Sequence, residues 1–474
     1  MNYELICGLE THIELATDTK IFCSCRPKFG AEPNTTCCPV CVGMPGTLPV
    51  LNEKVIKYAI MMGLAFGCEI NLNSIMERKN YVYPDLPKAY QISQNSAPIC
   101  IGGEVVLPNN RKIRIHHIHI EEDAGKIINK NGSIFVDYNR GGTPLIEIVS
   151  EPDIRSPEEA KEYIEKLQQT AKYLKISDGR MQEGSLRCDV NVSVRKIGDE
   201  NFGTRVEIKN MNSITFIVNA IDYEFKRQVE ILAEGKKIAQ ETRRYEEKLN
   251  QTQGMREKEN VTNYRYFAEP DIRKVNLNKE FVEGIQRELP ELPDLRIKRY
   301  KTLGISSKSA ELIARYVRIS DFLDETLKKC KNPNIAANFI IGTIFSHLNT
   351  EADKEEFKIP LNSNEFCYLI DLISKNEIDQ NNAKQILIKS LEKKGSLKQL
   401  CDEFTKIKID FDISSICEEA MSLNKQAILD YKNGTEKAFQ AILGTVMKLT
   451  HGKANAEEAK KIVQEKIKND KIFI

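Results

Sequence analysis

From residue 3 to roughly residue 270 the chain repeatedly alternates apolar and polar side chains; beyond Leu292-Pro293-Asp294 the pattern turns helical. Successive side chains of a strand point to opposite faces, so alternation marks half-buried strands of an antiparallel or mixed sheet. Residues 3–15, 112–121, 133–139, 145–149, 186–195 and 203–209 carry it. Helical segments at 53–67, 156–174 and 214–234 interrupt them. The second begins Ser156-Pro157-Glu158-Glu159, an N-cap, a proline in the first turn and early acids. Strands with interspersed helices predict an α+β fold for this part.

The later residues read as amphipathic helices at 307–316, 335–348 and 363–374. A charged, less regular stretch at 402–413 reads as a joint, followed by helices at 414–423, 425–433, 435–449 and 456–467. The expected division is therefore 1–292, an α+β cradle; 293–408, an all-α domain; and 409–474, an all-α tail.

Inside the strand-rich part stands Cys23-Ser24-Cys25, and after a loop at 26–37 comes Cys38-Pro39-Val40-Cys41. Two close cysteine pairs joined by a loop with Pro27, Gly30 and Pro33 fit a tetrahedral zinc thiolate site. Cys37 stands beside Cys38 as a competing or spare thiol, and no histidine lies near it in sequence to make it a nucleophile. Either metal chemistry clusters here, or a structural staple sits beside an active centre.

Three segments offer carboxylates and imidazoles at strand spacing. Glu10, His12 and Glu14 share one strand face, as do His117, His119 and Glu121, and Glu147 follows the Gly141-Gly142 turn. Carboxylates with one imidazole suit a hard divalent cation such as Mg²⁺, which keeps several waters and takes substrate phosphate oxygens. Salt-bridging on a solvated sheet face is the competing reading of each. Residues 78–94 interleave Arg78, Lys79 and Lys88 with Tyr81, Tyr83 and Tyr90 between prolines, a rigid loop fit to line a phosphate pocket or a plain structural corner. Lys209 ends a strand before a helix, placed to hold an anion or to cap. Walker-type, dinucleotide-binding, nucleophile-elbow and HExxH motifs are all missing, so nucleotide chemistry here needs a different site.

Lys+Arg 69 against Asp+Glu 68 gives no global basic field, so a nucleic-acid partner must be held locally. The odd count of 13 scattered cysteines speaks for a reducing compartment. With no membrane-length apolar run and no targeting pattern at the start, the expected location is cytoplasmic.

The ordered blocks Gly8-Leu-Glu-Thr-His-Ile-Glu14, Phe29-Gly-Ala-Glu-Pro-Asn34, Arg78-Lys-Asn-Tyr-Val-Tyr-Pro-Asp85, Glu121-Glu-Asp-Ala-Gly-Lys126 and Asp137-Tyr-Asn-Arg-Gly-Gly-Thr-Pro-Leu-Ile-Glu147 occur together. Glu183-Gly-Ser-Leu-Arg-Cys-Asp189, Gln240-Glu-Thr-Arg-Arg244 and Tyr264-Arg-Tyr-Phe-Ala-Glu-Pro-Asp271 complete the set. In these the chain resembles the B subunits of heterotrimeric tRNA-dependent amidotransferases.

The resemblance implies a protein that holds the 3′ end of mischarged Glu-tRNA(Gln) or Asp-tRNA(Asn) and uses ATP to phosphorylate the side-chain carboxylate. Ammonia from the glutaminase (A) partner then displaces the phosphate, and a small C partner steadies the heterotrimer; DNA and membranes have no part. It further implies Mg²⁺ at His12, Glu147 and one of Glu121 and Glu122, with Glu10 alongside; alternation favours Glu121. Lys79, Tyr81, Lys88, Arg140 and Lys209 become candidates for holding phosphate or the acceptor end. The tail resembles the YqeY type and grips the outer corner of tRNA. Residues 432–474 hold nine lysines against five acids, and Lys448, His451 and Lys453 are its candidate tRNA contacts. Family members differ in whether they carry the cysteine pairs, so zinc at Cys23, Cys25, Cys38 and Cys41 is expected to be structural. Two other classes make different predictions. A metal-stapled tRNA-binding module would show no mischarged-tRNA-dependent ATP hydrolysis, and a redox or zinc-dependent hydrolase built on residues 23–41 would lose turnover, without loss of stability, when these cysteines become serine.

Overall fold

The computed structural model describes residues 3–255, 264–409, 412–450, 454 and 456–469. The chain forms two units, residues 1–293 and 294–474. His451 and Lys453, two of the expected tRNA contacts, lie outside the described residues.

The first unit is built on a ten-stranded mixed sheet. Its strands in chain order are β1 (Tyr3–Glu14), β2 (Glu69–Ile70), β3 (Cys100–Ile101), β4 (Glu104–Val106), β5 (Lys112–Glu122), β6 (Pro144–Ser150), β7 (Leu186–Lys196), β8 (Val206–Lys209), β9 (Thr242–Glu246) and β10 (Gln251–Gly254). They lie in the order β10-β9-β8-β7-β1-β6-β5-β3-β2, with β4 paired to β5. The β8–β9 pair is parallel and the other pairs are antiparallel. Helices α1 (Glu53–Ala65), α2 (Pro157–Tyr173) and α3 (Ile214–Ala233) accompany it. Each helix opens on a polar cap: Asn52, Ser156 and Ser213 accept from the backbone N–H of Lys54, Glu159 and Phe216. Leu9, Ile13, Ile118, Ile120, Ile146, Val190 and Ile208 bury their side chains in one core with Ile60, Leu167 and Ile217 of the helices. This is the α+β class expected.

Two local features depart from the simple pattern. Residues 112–121 do not alternate without a break: the register shifts between Val149, opposite His117, and Ser150, opposite Ile115. A bulge of this kind adds one residue to one strand, so Ile113 and Ile115 share the core with Ile118 and Ile120. The bulge thereby frees His117, His119 and Glu121 for the opposite face. The expected strand at 133–139 is half of a hairpin, Lys126–Lys130 with Ser133–Asp137, closed by Asn131 (φ 53°) and Gly132 (φ 77°). Positive φ at both central residues is what a type I′ turn needs, and Asn-Gly is its usual sequence.

The second unit is helical, with one apolar core running from Tyr300 to Cys401 and another from Cys417 to Ile467. The helix expected at 335–348 has a π-type turn at Ile340–Ile344 between Pro333–Phe339 and Phe345–His347. The expected joint at 402–413 is mostly helix, Leu397–Ile409, because Leu397 and Cys401 are buried and Phe404 packs beside them at helical spacing. Among the described residues no helix is long and apolar enough to cross a membrane.

Candidate active site

Strand β1 lies between β6 and β7, and this adjacency creates the site. Across one row of the sheet stand Arg187, His12, Glu147 and His119, each paired in register with the next. The neighbouring row holds Asp189, Glu10, Val149 and His117. Residues two apart along β1 share a face, so Glu10 and His12 bring the rows together.

His12 Nε2 lies 3.3 Å from Glu121 Oε1 and 3.3 Å from Glu147 Oε2. His119 Nε2 lies 3.2 Å from the same Glu147 oxygen and 3.8 Å from Glu121 Oε2. Burial penalises both carboxylates, but His119 and His12 hold Glu147 and Glu121 well below the usual carboxylate range. Burial likewise works against His12, yet Glu147 and Glu121 push it up to about 10. Behind His119, His117 Nε2 is 3.0 Å from His119 Nδ1. Burial and then the neighbouring His119 and His116 lower His117 to about 4, so it is neutral near pH 7.

Of the adjacent acids, the structure brings Glu121 to His12 and turns Glu122 elsewhere. Glu122 Oε1 accepts from Lys88 Nζ at 2.5 Å and from the Ile92 N–H at 2.8 Å. Gln91 Nε2 donates to Glu121 Oε2 at 3.2 Å and so fixes that carboxylate from behind. Glu14, on the same face of β1, lies outside this group, and burial followed by Asp123 raises it to about 7.

A second group forms where the fold joins β1, β7 and β8. Ligand atoms of Glu10, Asp189 and Glu207 all lie within 4.8 Å of one another, as do those of His12, Glu121 and Glu147. Burial, then Glu147, raises Glu10, and Asn191 Nδ2 donates to it at 2.9 Å. Lys209 Nζ lies 2.5 Å from Asp189 and 2.8 Å from Glu207, a candidate anion-holder already engaged by two acids. So many crowded carboxylates with one imidazole fit a hard divalent cation. Sequence reasoning gave Asp189 and Glu207 no task. Their alternation in phase with Arg187, Asn191 and Lys209 was the available signal.

The other candidates are placed variously. Lys79 makes no ion pair among the described residues; its Nζ lies 5.0 Å from the centre of the Tyr264 ring. Burial opposes its charge, but Glu121, Tyr266 and Glu147 hold its ammonium above the usual lysine range. Tyr81 donates to Gln91 Oε1 at 3.3 Å. Arg140 donates to the carbonyls of Ala124 and Gly125 at 3.0 and 2.8 Å, clamping the turn after β5. Lys448 sits in the helix Glu436–Leu449 of the second unit.

The thiols of Cys23, Cys25, Cys38 and Cys41 also converge, all within 4.8 Å. Cys37 stands apart, its Sγ 3.4 Å from the Asn34 carbonyl. The loop between the pairs is laced to the turn before β6: Asn34 Oδ1 accepts from Tyr138 N at 2.8 Å, and Asn139 Nδ2 donates to Glu32 O at 2.7 Å. Four convergent thiols on a folded loop fit zinc.

The family model described as the GatB/GatE catalytic domain matches residues 5–283, and that described as the GatB domain matches residues 321–467. The chain is 45% identical over 478 residues to a protein of Ruminiclostridium cellulolyticum named as the B subunit of an aspartyl/glutamyl-tRNA(Asn/Gln) amidotransferase, covering 99% of this chain and 98% of that one. Proteins of the same name from Caldicellulosiruptor saccharolyticus and Persephonella marina are 45% identical over 479 and 475 residues. These matches cover 98% and 99% of this chain, and 99% and 100% of those proteins.

Proposed function

The chain belongs to the GatB family, the B subunits of tRNA-dependent amidotransferases, and on that premise we propose that the β1 face is where a tRNA-borne carboxylate is activated. The observation that carries this reading is the meeting of His12, Glu121 and Glu147 with Glu10, Asp189 and Glu207 across adjacent strand rows.

The substrate is a glutamyl or aspartyl group mischarged on tRNA(Gln) or tRNA(Asn). An oxygen of its side-chain carboxylate attacks the γ-phosphorus of ATP, the P–O bond to ADP breaks, and an acyl phosphate forms. Ammonia, released from glutamine by the A partner, attacks the acyl carbon. Phosphate leaves, the nitrogen loses a proton, and the amide remains. A free carboxylate is a poor acyl donor; its phosphorylation supplies the leaving group.

His12, Glu121 and Glu147 would hold Mg²⁺, with Glu10, Asp189 and Glu207 offering further oxygens. When bound, that ion neutralises charge on the polyphosphate. The chain's own residues supply position: Gln91 and His119 orient the carboxylates, and Lys79, which makes no ion pair among the described residues, is set to meet phosphate. Tyr81, Lys88, Arg140 and Lys209 frame the acceptor end. Cys23, Cys25, Cys38 and Cys41 would hold a structural zinc, and Lys448 in the tail contacts the tRNA backbone. We place the activity in the cytoplasm, in a heterotrimer with A and C partners. The division at 292 and near 408 stands as a working proposal supported by the separate apolar cores.

The test is ATP hydrolysis by the reconstituted trimer with mischarged tRNA. Loss of that hydrolysis with His12→Ala or Glu147→Ala supports the reading; intact hydrolysis in both overturns it.

A further inference from the structure

Lys20 has no part in the chemistry described so far, yet its placement is unusual. It is fully buried, at 0% exposure. Its ammonium makes two polar contacts: Nζ lies 3.5 Å from Cys41 Sγ and donates to the Tyr138 carbonyl at 3.3 Å. No carboxylate among the described residues forms an ion pair with it. Glu122, which lines the same cavity, is engaged by Lys88. A buried ammonium without a counter-charge is strongly disfavoured. Four thiolates around a divalent ion carry the opposite excess, two negative charges in a partly buried loop.

The backbone fixes this meeting. Lys20 N donates to the Cys25 carbonyl at 2.8 Å, and Ile21 N donates to the Gly142 carbonyl at 2.9 Å. Gly142 has φ +81°, and a Cβ there would come within 3.6 Å of Lys20 Cδ, so the turn lies against the lysine stem.

We infer that Lys20 is the built-in counter-cation of the four-cysteine site, balancing thiolate charge at Cys41 while its bond to Tyr138 ties that site to the turn leading into β6 and Glu147. Lys20 is a positioning residue in this role and touches no substrate. The inference rests on the structural-zinc reading given above.

The experiment uses the purified heterotrimer and measures zinc content, the rate of zinc release to a chromogenic chelator, and thermal unfolding after zinc removal. Wild type is expected to hold about one zinc ion per chain. Lys20→Met is expected to weaken zinc binding by roughly 10- to 100-fold, the usual effect of losing a group that supports metal ligands. Lys20→Arg, which keeps the charge, is expected to stay within about threefold of wild type on the same scale. A lysine that only fills space would lower the zinc-free unfolding temperature in Lys20→Met and leave zinc release unchanged, and that result overturns the inference. If Lys20→Met fails to fold, Lys20→Gln keeps a donor for Tyr138 without charge; wild-type zinc retention by that variant overturns the inference equally. Zinc absent from wild type would instead remove the zinc reading itself, and this inference with it.

Discussion

His12 and Glu147 face each other across neighbouring antiparallel strands, with His12 Nε2 3.3 Å from Glu147 Oε2. From the other side His119 reaches the same oxygen at 3.2 Å. One carboxylate is thus fixed by two imidazoles from two different strands. A buried acid held this way keeps its charge and its orientation, as a ligand for a hard cation requires.

Replacing these groups separates binding from chemistry. Glu147→Gln keeps the side-chain shape and removes the charge; His12→Ala removes the imidazole. Each is expected to lower mischarged-tRNA-dependent ATP hydrolysis by about 100-fold or more, the scale of a lost electrostatic group at a reacting centre. Affinity for the mischarged tRNA, read by filter binding, should change by less than about threefold.

The raised His12 sets a pH dependence. A folded pKa of about 10 lies above the usual imidazole value near 6.5, so its stabilising contribution is complete below about pH 6.5. That contribution is lost as pH rises through 10. Glu121 and Glu147 act with the opposite sign: held low, they contribute above about pH 4.5 and lose that contribution as pH falls through their depressed values. The metal-free protein should therefore lose stability between about pH 7 and 10. A divalent cation must displace the His12 proton, so Mn²⁺ affinity should rise by up to about tenfold per pH unit between about pH 7 and 9. Titration of bound Mn²⁺ by electron paramagnetic resonance reads this directly, and a flat profile would count against His12 as a ligand.

A different part of the sheet predicts a stability effect without a metal. Glu224 on α3 is fully buried and accepts from Arg227, from Gln228 at 2.9 Å and from Thr252 at 2.8 Å. Arg243 of β9 completes the enclosure at 3.4 Å. Glu224→Ala leaves Glu241 as the remaining shared acid of the two guanidiniums, strips Gln228 and Thr252 of their acceptor, and is expected to cost about 2–3 kcal/mol in denaturant unfolding. Glu224→Gln, which keeps most of the hydrogen bonds, should cost less.

The cysteine loop should behave as scaffold. Cys38→Ser or Cys41→Ser is expected to remove zinc and lower the unfolding temperature by about 5 °C or more. ATP hydrolysis per folded molecule should stay within about threefold of wild type, since no thiol lies among the groups at His12. Turnover abolished at unchanged unfolding temperature would favour a redox or zinc-dependent hydrolase instead.

Local signals carried much of the fold. Ser156 before Pro157 and two glutamates gave the start of α2, and alternation gave β1, β6 and β7 within a residue or two. Other local signals were present and unused: Asn131-Gly132 is a hairpin turn by composition alone. The bulge opposite Val149 and Ser150 was another: the doubled His116-His117 between Ile115 and Ile118 breaks the alternation of β5, and pairing with β6 turns that break into a bulge.

The same division runs through the site. By itself the sequence determined that Glu10 and His12 share a strand face, that His119 and Glu121 share another, and that four cysteines stand at zinc spacing, since these follow from periodicities of two or from short loops. Only the tertiary structure decided that β1 lies between β6 and β7. That pairing set His12 against Glu147 and Asp189 against Glu10, and further contacts of the fold placed Glu121 beside His12, Glu207 beside Glu10 and Lys20 against Cys41. Strand neighbours are selected by burial of whole faces across separations of more than a hundred residues, and no local pattern encodes that choice.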